Sequence, residues 1–256
     1  MTPFQFISLL DLKARMSLKS EASKLYLSYL WWVIEPLLWA LSFYFVFEIL
    51  LSFGRDLFFI LSGKVVFLWF SKAVTSGSDS IANSRGLINQ TNMPKAFFPY
   101  HKLQVVLYKQ WLVFLVLFCL AAFWGHFPDW QWFWLLPLFV VQYFLIALCT
   151  LIAALAVSYV GDMRILINMA MMSLMFMSGI FWDISQIEDP ARRDMLLTFN
   201  PLAYLIDAYR AIIIRNELYD LGHLAVLGVV CLAGIVFMHW VYHVKSQDIA
   251  ARVINA

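Results

Sequence analysis

Charge is scarce in this chain. Asp, Glu, Lys and Arg make up 13% of its 256 residues, where a soluble domain carries about 25%. That shortage excludes an ordinary water-exposed surface over most of the molecule. A net charge of +2 is too small to argue for nucleic acid as a partner. The three cysteines, Cys119, Cys149 and Cys231, lie in apolar runs. Three cannot pair fully and their spacing matches no metal motif, so they read as small buried hydrophobes. No Walker A pattern occurs: Gly63-Lys64 is followed by valine and has no glycine five residues before it. Neither a GxSxG elbow nor an HExxH pair is present. Residues 1–29 lack a short apolar core followed by a small-residue cleavage site, so no secretory signal is expected there. His239 and His243 are four apart and share a helix face, but no third metal ligand is in view. They read as a polar pair at a headgroup boundary. No catalytic constellation can be assembled. A chain of this kind draws energy from a gradient or from another subunit.

Apolar side chains are abundant. They form 63% of the sequence, and the mean hydropathy is +0.78. That excess does not fit one globular core, so much of it must face lipid. The expected fold is all-α and polytopic, with one membrane domain over 1–256. Residues 1–29 mix Phe4, Phe6, Ile7 and Leu10 with Lys13, Arg15, Lys19 and Lys24 at roughly helical spacing. This predicts an amphipathic helix lying in the membrane interface, its basic side chains suited to anionic head groups. Six spans are expected, at 30–53, 57–75, 103–124, 132–157, 165–182 and 222–243, the first five within 30–182 and followed by a tail over 244–256. Lys64, Lys72 and Lys109 interrupt them.

Residues 183–221 hold Asp183, Glu188, Asp189, Asp194, Asp207, Glu217 and Asp220. Asp189-Pro190 and Asn200-Pro201 each look like a cap followed by proline at the first helical position. Leu202, Leu205, Ile206, Tyr209, Ile212 and Ile213 form one stripe. Two short re-entrant helices are expected, covered by protein or lining a wet cavity. Six spans put both termini on one side. That side carries Lys13, Arg15, Lys19, Lys24, Arg85, Lys95, Lys102, Arg164, Lys245 and Arg252, against Arg55, Arg192, Arg193, Arg210 and Arg215 on the other. The excess makes both termini and the 76–102 loop cytoplasmic, and the acidic 183–221 segment extracytoplasmic. Trp124, Trp130, Trp132, Trp134 and Trp182 would then belt the outer face.

Four local patterns resemble those of a known family, the permease subunits of ABC exporters of O-antigen, capsule or teichoic-acid polymers. Ser28-Tyr29-Leu30-Trp31-Trp32-Val33-Ile34-Glu35-Pro36 resembles the "LGxxWxxxxP" start of the family's first span. Residues 83–99 (NSRGLINQTNMPKAFFP) resemble its "N..LI....FP" loop. GDMR at 161–164 followed by SGIFW at 178–182 resembles its "RD……SPIFY" block, and Asn200-Pro201-Leu202 through Tyr209-Arg210 its "NPL…..R" segment. Lys64 departs from the family, falling in a stretch that is usually apolar. The resemblance implies a homodimer around one channel in the bacterial inner membrane. It also implies two copies of a separate ABC ATPase, which would hold the ATP and Mg2+; no cofactor is expected in this chain, and no catalytic activity. The substrate implied is a lipid-linked polysaccharide, most often O-antigen.

The resemblance further implies that the loop after the second span is a coupling helix. Asn83, Ser84, Arg85, Gly86, Leu87, Ile88, Asn89 and Gln90 read as a short polar helix with a Leu87-Ile88 knob for a groove on the ATPase; without the family they read as a solvated loop. Tyr29, Trp32, Tyr44, Trp69 and Tyr143 are candidates to stack on sugar faces, although most aromatics in such a chain face lipid or pack. Lys64 either faces the conduit or pairs with Glu48 or snorkels. Lys72 reads as snorkelling. Asn200, Pro201, Tyr209 and Arg210 mark the expected outer gate. The alternative readings are an ABC permease for a small lipophilic substrate, an intramembrane lipid enzyme, and a gradient-driven transporter. The last would need an internal repeat and paired intramembrane carboxylates, and neither is visible.

Overall fold

The computed structural model describes residues 3–23, 28–50, 57–91 and 93–255, and every regular element among them is helical. α1 (Pro3–Ala22) precedes α2 (Ser28–Tyr44), which runs on as a π-helical stretch, Phe45–Leu50. α3 (Leu57–Ser78), the short α4 (Arg85–Gln90) and α5 (Phe97–Phe123) follow. A 3-10 turn at Trp130–Trp134 leads into α6 (Leu135–Tyr159), then α7 (Met163–Met177), α8 (Pro190–Phe199) and α9 (Pro201–Arg210). A second π stretch, Ala211–Arg215, precedes α10 (Leu221–Val244) and α11 (Ser246–Asn255).

Four helical stretches are long and apolar enough to cross a membrane: Leu57–Ser78, Phe97–Phe123, Trp130–Tyr159 and Leu221–Val244. α2 reaches 17 residues before its π continuation, and α7 has 15. At 1.5 Å per residue α7 spans about 22 Å, short of a hydrocarbon core about 30 Å thick. The fifth span, expected to run to residue 182, therefore ends early. Gly179 turns the chain at φ +72°, a left-handed conformation open to a residue without Cβ. Trp182 Nε1 then donates to the Phe176 carbonyl at 2.9 Å and holds the turn.

α3 is the centre of the bundle and packs against α2, α5, α6, α7 and α9. Close approach to α6 depends on Gly77, where a Cβ would run into the Thr150 side chain. Two buried glutamines brace α3 from its neighbours. Gln110 Nε2 on α5 and Gln142 Nε2 on α6 each donate at 3.0 Å, to the Val65 and Val66 carbonyls.

At one end of the bundle, Leu10, Ile81, Ile88, Phe97, Leu151, Met238, Tyr242, Ile249 and Val253 form a second apolar cluster. It brings both terminal helices, α1 and α11, to the same end as α4. α1 does not simply lie with one apolar face outward. Leu10 and Ala14 are buried against the bundle, while Phe4, Ile7, Leu12 and Met16 stay exposed. The Tyr108 hydroxyl donates to Asp11 and, with the neighbouring Arg15, holds that carboxyl below the usual carboxylate range. α11 was legible only as a tail. It is an amphipathic helix whose Ile249 and Val253 reach the cluster.

The opposite end carries the indoles. Phe58 stacks on Trp124 and on His126, with ring centroids 6.0 and 5.4 Å apart. The Tyr219 hydroxyl donates to the Trp134 carbonyl at 2.9 Å. Asn216, with φ 53°, reaches Asp129 at 3.1 Å.

α8 and α9 differ in their surroundings. α8 buries no residue, and Met195 and Phe199 stand exposed. α9 lies inside the bundle. Its expected stripe of Leu202, Leu205, Ile206, Tyr209, Ile212 and Ile213 is wholly buried. Asn200 caps it: Oδ1 accepts from the Leu202 and Ala203 amides at 3.1 Å each, and Nδ2 donates to Ser178 Oγ at 3.2 Å. Pro201 takes the first helical position, where no amide hydrogen is needed.

Arg210 ends α9 at 2% exposure. Its Nη1 donates to the Gly179 carbonyl at 2.6 Å, and its Nη2 to Phe59 and Ile180 at 2.9 and 3.0 Å. The guanidinium lies 3.5 Å from the Phe59 ring centroid. Charged donors of this kind contribute about 1.5–3 kcal/mol each. Arg210→Met leaves the Gly179 and Ile180 carbonyls without their charged donor, while Phe59 keeps Ser62 Oγ, and is expected to lower stability by about 3 kcal/mol or more. Gly63→Val is expected to act at the same point, because a Cβ there would stand 2.6 Å from Arg210 Nη2. Thermal unfolding of the purified variants in detergent measures both; a melting temperature equal to that of the unmodified protein contradicts the clasp.

Candidate functional site

Two of the lysines that interrupt the expected spans, Lys72 and Lys109, meet in one place. A cleft of about 730 Å³ is lined by Glu21, Trp31, Trp32, Glu35, Lys72, Asp79, Lys109 and Asn168, among others. It takes residues from the end of α1 and from α2, α3, α5 and α7. Lys72 does not snorkel alone: its Nζ lies 2.5 Å from Glu35 Oε2. Lys109 pairs with Glu21, and its ammonium sits 5.2 Å from the Trp32 ring centroid. Asp79 pairs with Arg164 at 2.5 Å. Inside an apolar bundle such charges persist only where they are paired or reach water. Here they are paired, and the Lys72 and Glu35 side chains stay 40% and 33% exposed. The result is an open, charge-balanced surface with indole faces beside it.

The aromatic and basic candidates separate. Trp32 lines the cleft, and Trp31, which the sequence offered no reason to prefer, lines it too. Trp69 is buried and meets Phe114 edge-on at 5.9 Å. With Tyr143 it borders a different cavity, an apolar one of about 440 Å³ between α5 and α6. Tyr44 is half-buried near the end of α2. The side chains of Tyr29 and Glu48, and all of Lys24, Arg55 and Asn92, lie outside the described residues. Lys64 is 5% exposed. Its Nζ reaches Met175 Sδ on α7 at 3.1 Å and lies 5.8 Å from the Phe67 ring centroid.

On α1 the basic residues diverge. Burial, with Lys102 nearby, pushes Lys13 below the ordinary lysine value, and its ammonium lies 5.4 Å from the Phe97 ring centroid. Arg15 is paired with Asp11 at 3.0 Å, and Lys19 is exposed. In the 183–221 segment Arg215 pairs with Asp207 at 3.0 Å, Arg192 with Asp189 at 3.1 Å, and Arg193 lies 3.9 Å from Asp194. Arg210 alone of that group turns inward to carbonyls. Tyr209 is fully buried and stacks on Phe114 at 5.9 Å.

The expected coupling segment folds as a 3-10 turn, Ala82–Ser84, followed by α4. The two residues of the expected knob part company. Ile88 is buried beneath α11, and Leu87 points outward at 40% exposure. Helical geometry separates consecutive residues by about 100°, so one faces the bundle and the next does not. Arg85, Gly86, Asn89 and Gln90 are exposed around Leu87.

The family model for the ABC-2 type transporter matches residues 17–214. The chain belongs to the ABC-2 type transporter family. The matched region contains every cleft residue named above, α4, and α9 with its Arg210. The chain is also similar to the O-antigen export system permease protein RfbA of Myxococcus xanthus, at 22% identity over 253 residues, covering 98% of this chain and 97% of that protein. A protein of the same name from Klebsiella pneumoniae is 23% identical over 199 residues, covering 75% and 74%.

For this ABC-2 family chain the Glu35–Lys72 pair is open to a direct test. Glu35→Gln and Lys72→Met are each expected to lower the melting temperature of the purified protein. The double variant is expected to lose less than the sum, because the partner's penalty is already gone. Strict additivity of the two losses would show that they do not interact.

Proposed function

We propose that this chain is the membrane subunit of an ATP-driven exporter that moves a lipid-linked polysaccharide, O-antigen above all, across the bacterial inner membrane. The observation that carries this reading is the similarity to O-antigen export permeases along nearly the full chain. The charged cleft supports it. A glycan offers hydroxyls that exchange hydrogen bonds with carboxylates and amides, and apolar sugar faces that lie on tryptophan. Glu35, Asp79, Asn168, Trp31 and Trp32 supply both kinds of contact.

Two copies form the working unit. α7 buries none of its residues, and Leu166, Met169 and Met172 stand exposed on it, as do Leu30, Leu38 and Leu41 on α2. Both helices line the cleft, and a second copy set against them would close its open side. Six passes, with α2 and α7 among them, leave the end bearing α1, α4 and α11 in the cytoplasm. There Lys19 and Arg15 meet head groups, and two ATPase subunits, holding ATP and Mg2+, dock on α4. Leu87 is the contact that enters the ATPase groove, with Ile88 anchoring α4 to α11. α8 and α9 form the outer gate, α9 as its fixed post and α8 as its exposed flap.

A second reading, export of a small lipophilic substrate, is favoured by the apolar aromatic cavity between α5 and α6, whose volume suits a small molecule. Restoration of surface O-antigen in a deletion strain, against restoration of drug resistance, separates the two.

Leu87→Asp is expected to abolish co-purification with the co-encoded ATPase and to stop export; a normal complex contradicts the docking role of α4. Lys64→Met is expected to slow export of an acidic or diphosphate-bearing substrate while leaving folding intact. Unchanged export from a normally folded variant removes Lys64 from the conduit.

A further inference from the structure

A buried lysine marks a second polar cavity, remote from the cleft. The space, about 370 Å³, is bounded by Met93, Pro94, Lys95, Ala96, His239, Tyr242, His243 and Ser246. It lies where the chain leading into α5 meets the end of α10, at the end of the bundle shared by α1, α4 and α11. Lys95 is 6% exposed. It has no hydrogen bond or ion pair among the described residues, and burial draws its pKa below the ordinary lysine value. An ammonium so placed is costly unless an anion or water joins it.

The rest of the wall suits an anion. Among the described residues no carboxylate lines it. Asp248, on the following turn, is held by Lys245 at 3.5 Å. His239 Nδ1 lies 2.9 Å from the Ile235 carbonyl, which fixes that nitrogen as a donor, so Nε2 donates to an anion only when the ring is an imidazolium. His243 is exposed at the rim and Ser246 half-exposed, so each offers a polar group from the open side. The Tyr242 hydroxyl is already committed to the Leu151 carbonyl at 2.9 Å.

We propose that this cavity binds a phosphate group, with Lys95 as its central cation and His239, His243 and Ser246 around it. A phospholipid head group and free phosphate share this chemistry. The site does not depend on what the cleft carries, so it stands or falls apart from the transport reading.

The test uses the purified full-length chain. Native mass spectrometry counts retained phosphatidylglycerol, and calorimetry measures inorganic phosphate. One lysine near an anionic surface contributes about 1 kcal/mol, or roughly fivefold in affinity. Lys95→Met is expected to lower binding by at least about that factor, while Lys95→Arg keeps it and Lys102→Met, on the exposed neighbouring surface, leaves it unchanged. Binding of the lipid alone assigns the site to a head group, and binding of both probes or of phosphate alone assigns it to the phosphate itself. Should Lys95→Met fail to fold, Ser246→Trp fills the cavity from its rim and is expected to exclude either probe. Binding of neither probe to the unmodified protein, wild-type binding by Lys95→Met or Ser246→Trp, or an equal loss in Lys102→Met overturns the proposal.

Discussion

The guanidinium of Arg210 ties together three parts of the chain that are far apart in sequence: the first turn of α3, the turn after α7, and the end of α9. The turn after α7 leaves the Gly179 and Ile180 carbonyls outside any helix, and inside a membrane protein water cannot be relied on to satisfy them. A planar charged donor with a fork of N–H groups meets several carbonyls at once. Its charge is offset by those dipoles and by the Phe59 ring. With that tie in place α9 is fixed inside the bundle, the reversal at Gly179 is held, and α7 is left as a short, largely uncovered helix beside the cleft.

The remaining charges follow a different rule. Where Arg210 is sealed, Lys72, Lys109 and Asp79 sit at an open cleft and each has an opposite charge. Balanced pairs at an open surface neither capture a strongly charged ligand nor expel one. Lys95 belongs to neither group, being buried like Arg210 but without its partners. The three environments divide these basic residues into a sealed clasp, paired cleft residues and a lone buried lysine.

Much of the architecture could be read from period and cap. The apolar runs that became α3, α5, α6 and α10 were legible because lipid-facing helices tolerate almost nothing but apolar residues over their length. Asn200-Pro201 announced α9, since a side-chain cap and a proline act locally. The four family patterns fall within or beside the region matched by the ABC-2 family model. Other features were illegible. Lys72 looked like a snorkelling residue because Glu35 lies 37 positions away and on another helix. The knob at Leu87-Ile88 looked like one surface because α11, which covers Ile88, is the last helix of the chain. α7 looked longer, running on to residue 182 instead of ending at Met177, because Gly179 reads as an ordinary small residue until its φ is known.

What the sequence determined alone was the solvent of the molecule and the local grammar of its helices: which stretches are apolar, where caps and prolines start a helix, and which end carries the basic excess. These depend on near neighbours and on bulk transfer free energies. Only the tertiary structure decided which charges meet, which face of α9 turns inward, and which lysine is left alone in a cavity. Those outcomes depend on contacts between helices far apart in the chain. No periodicity encodes such a contact.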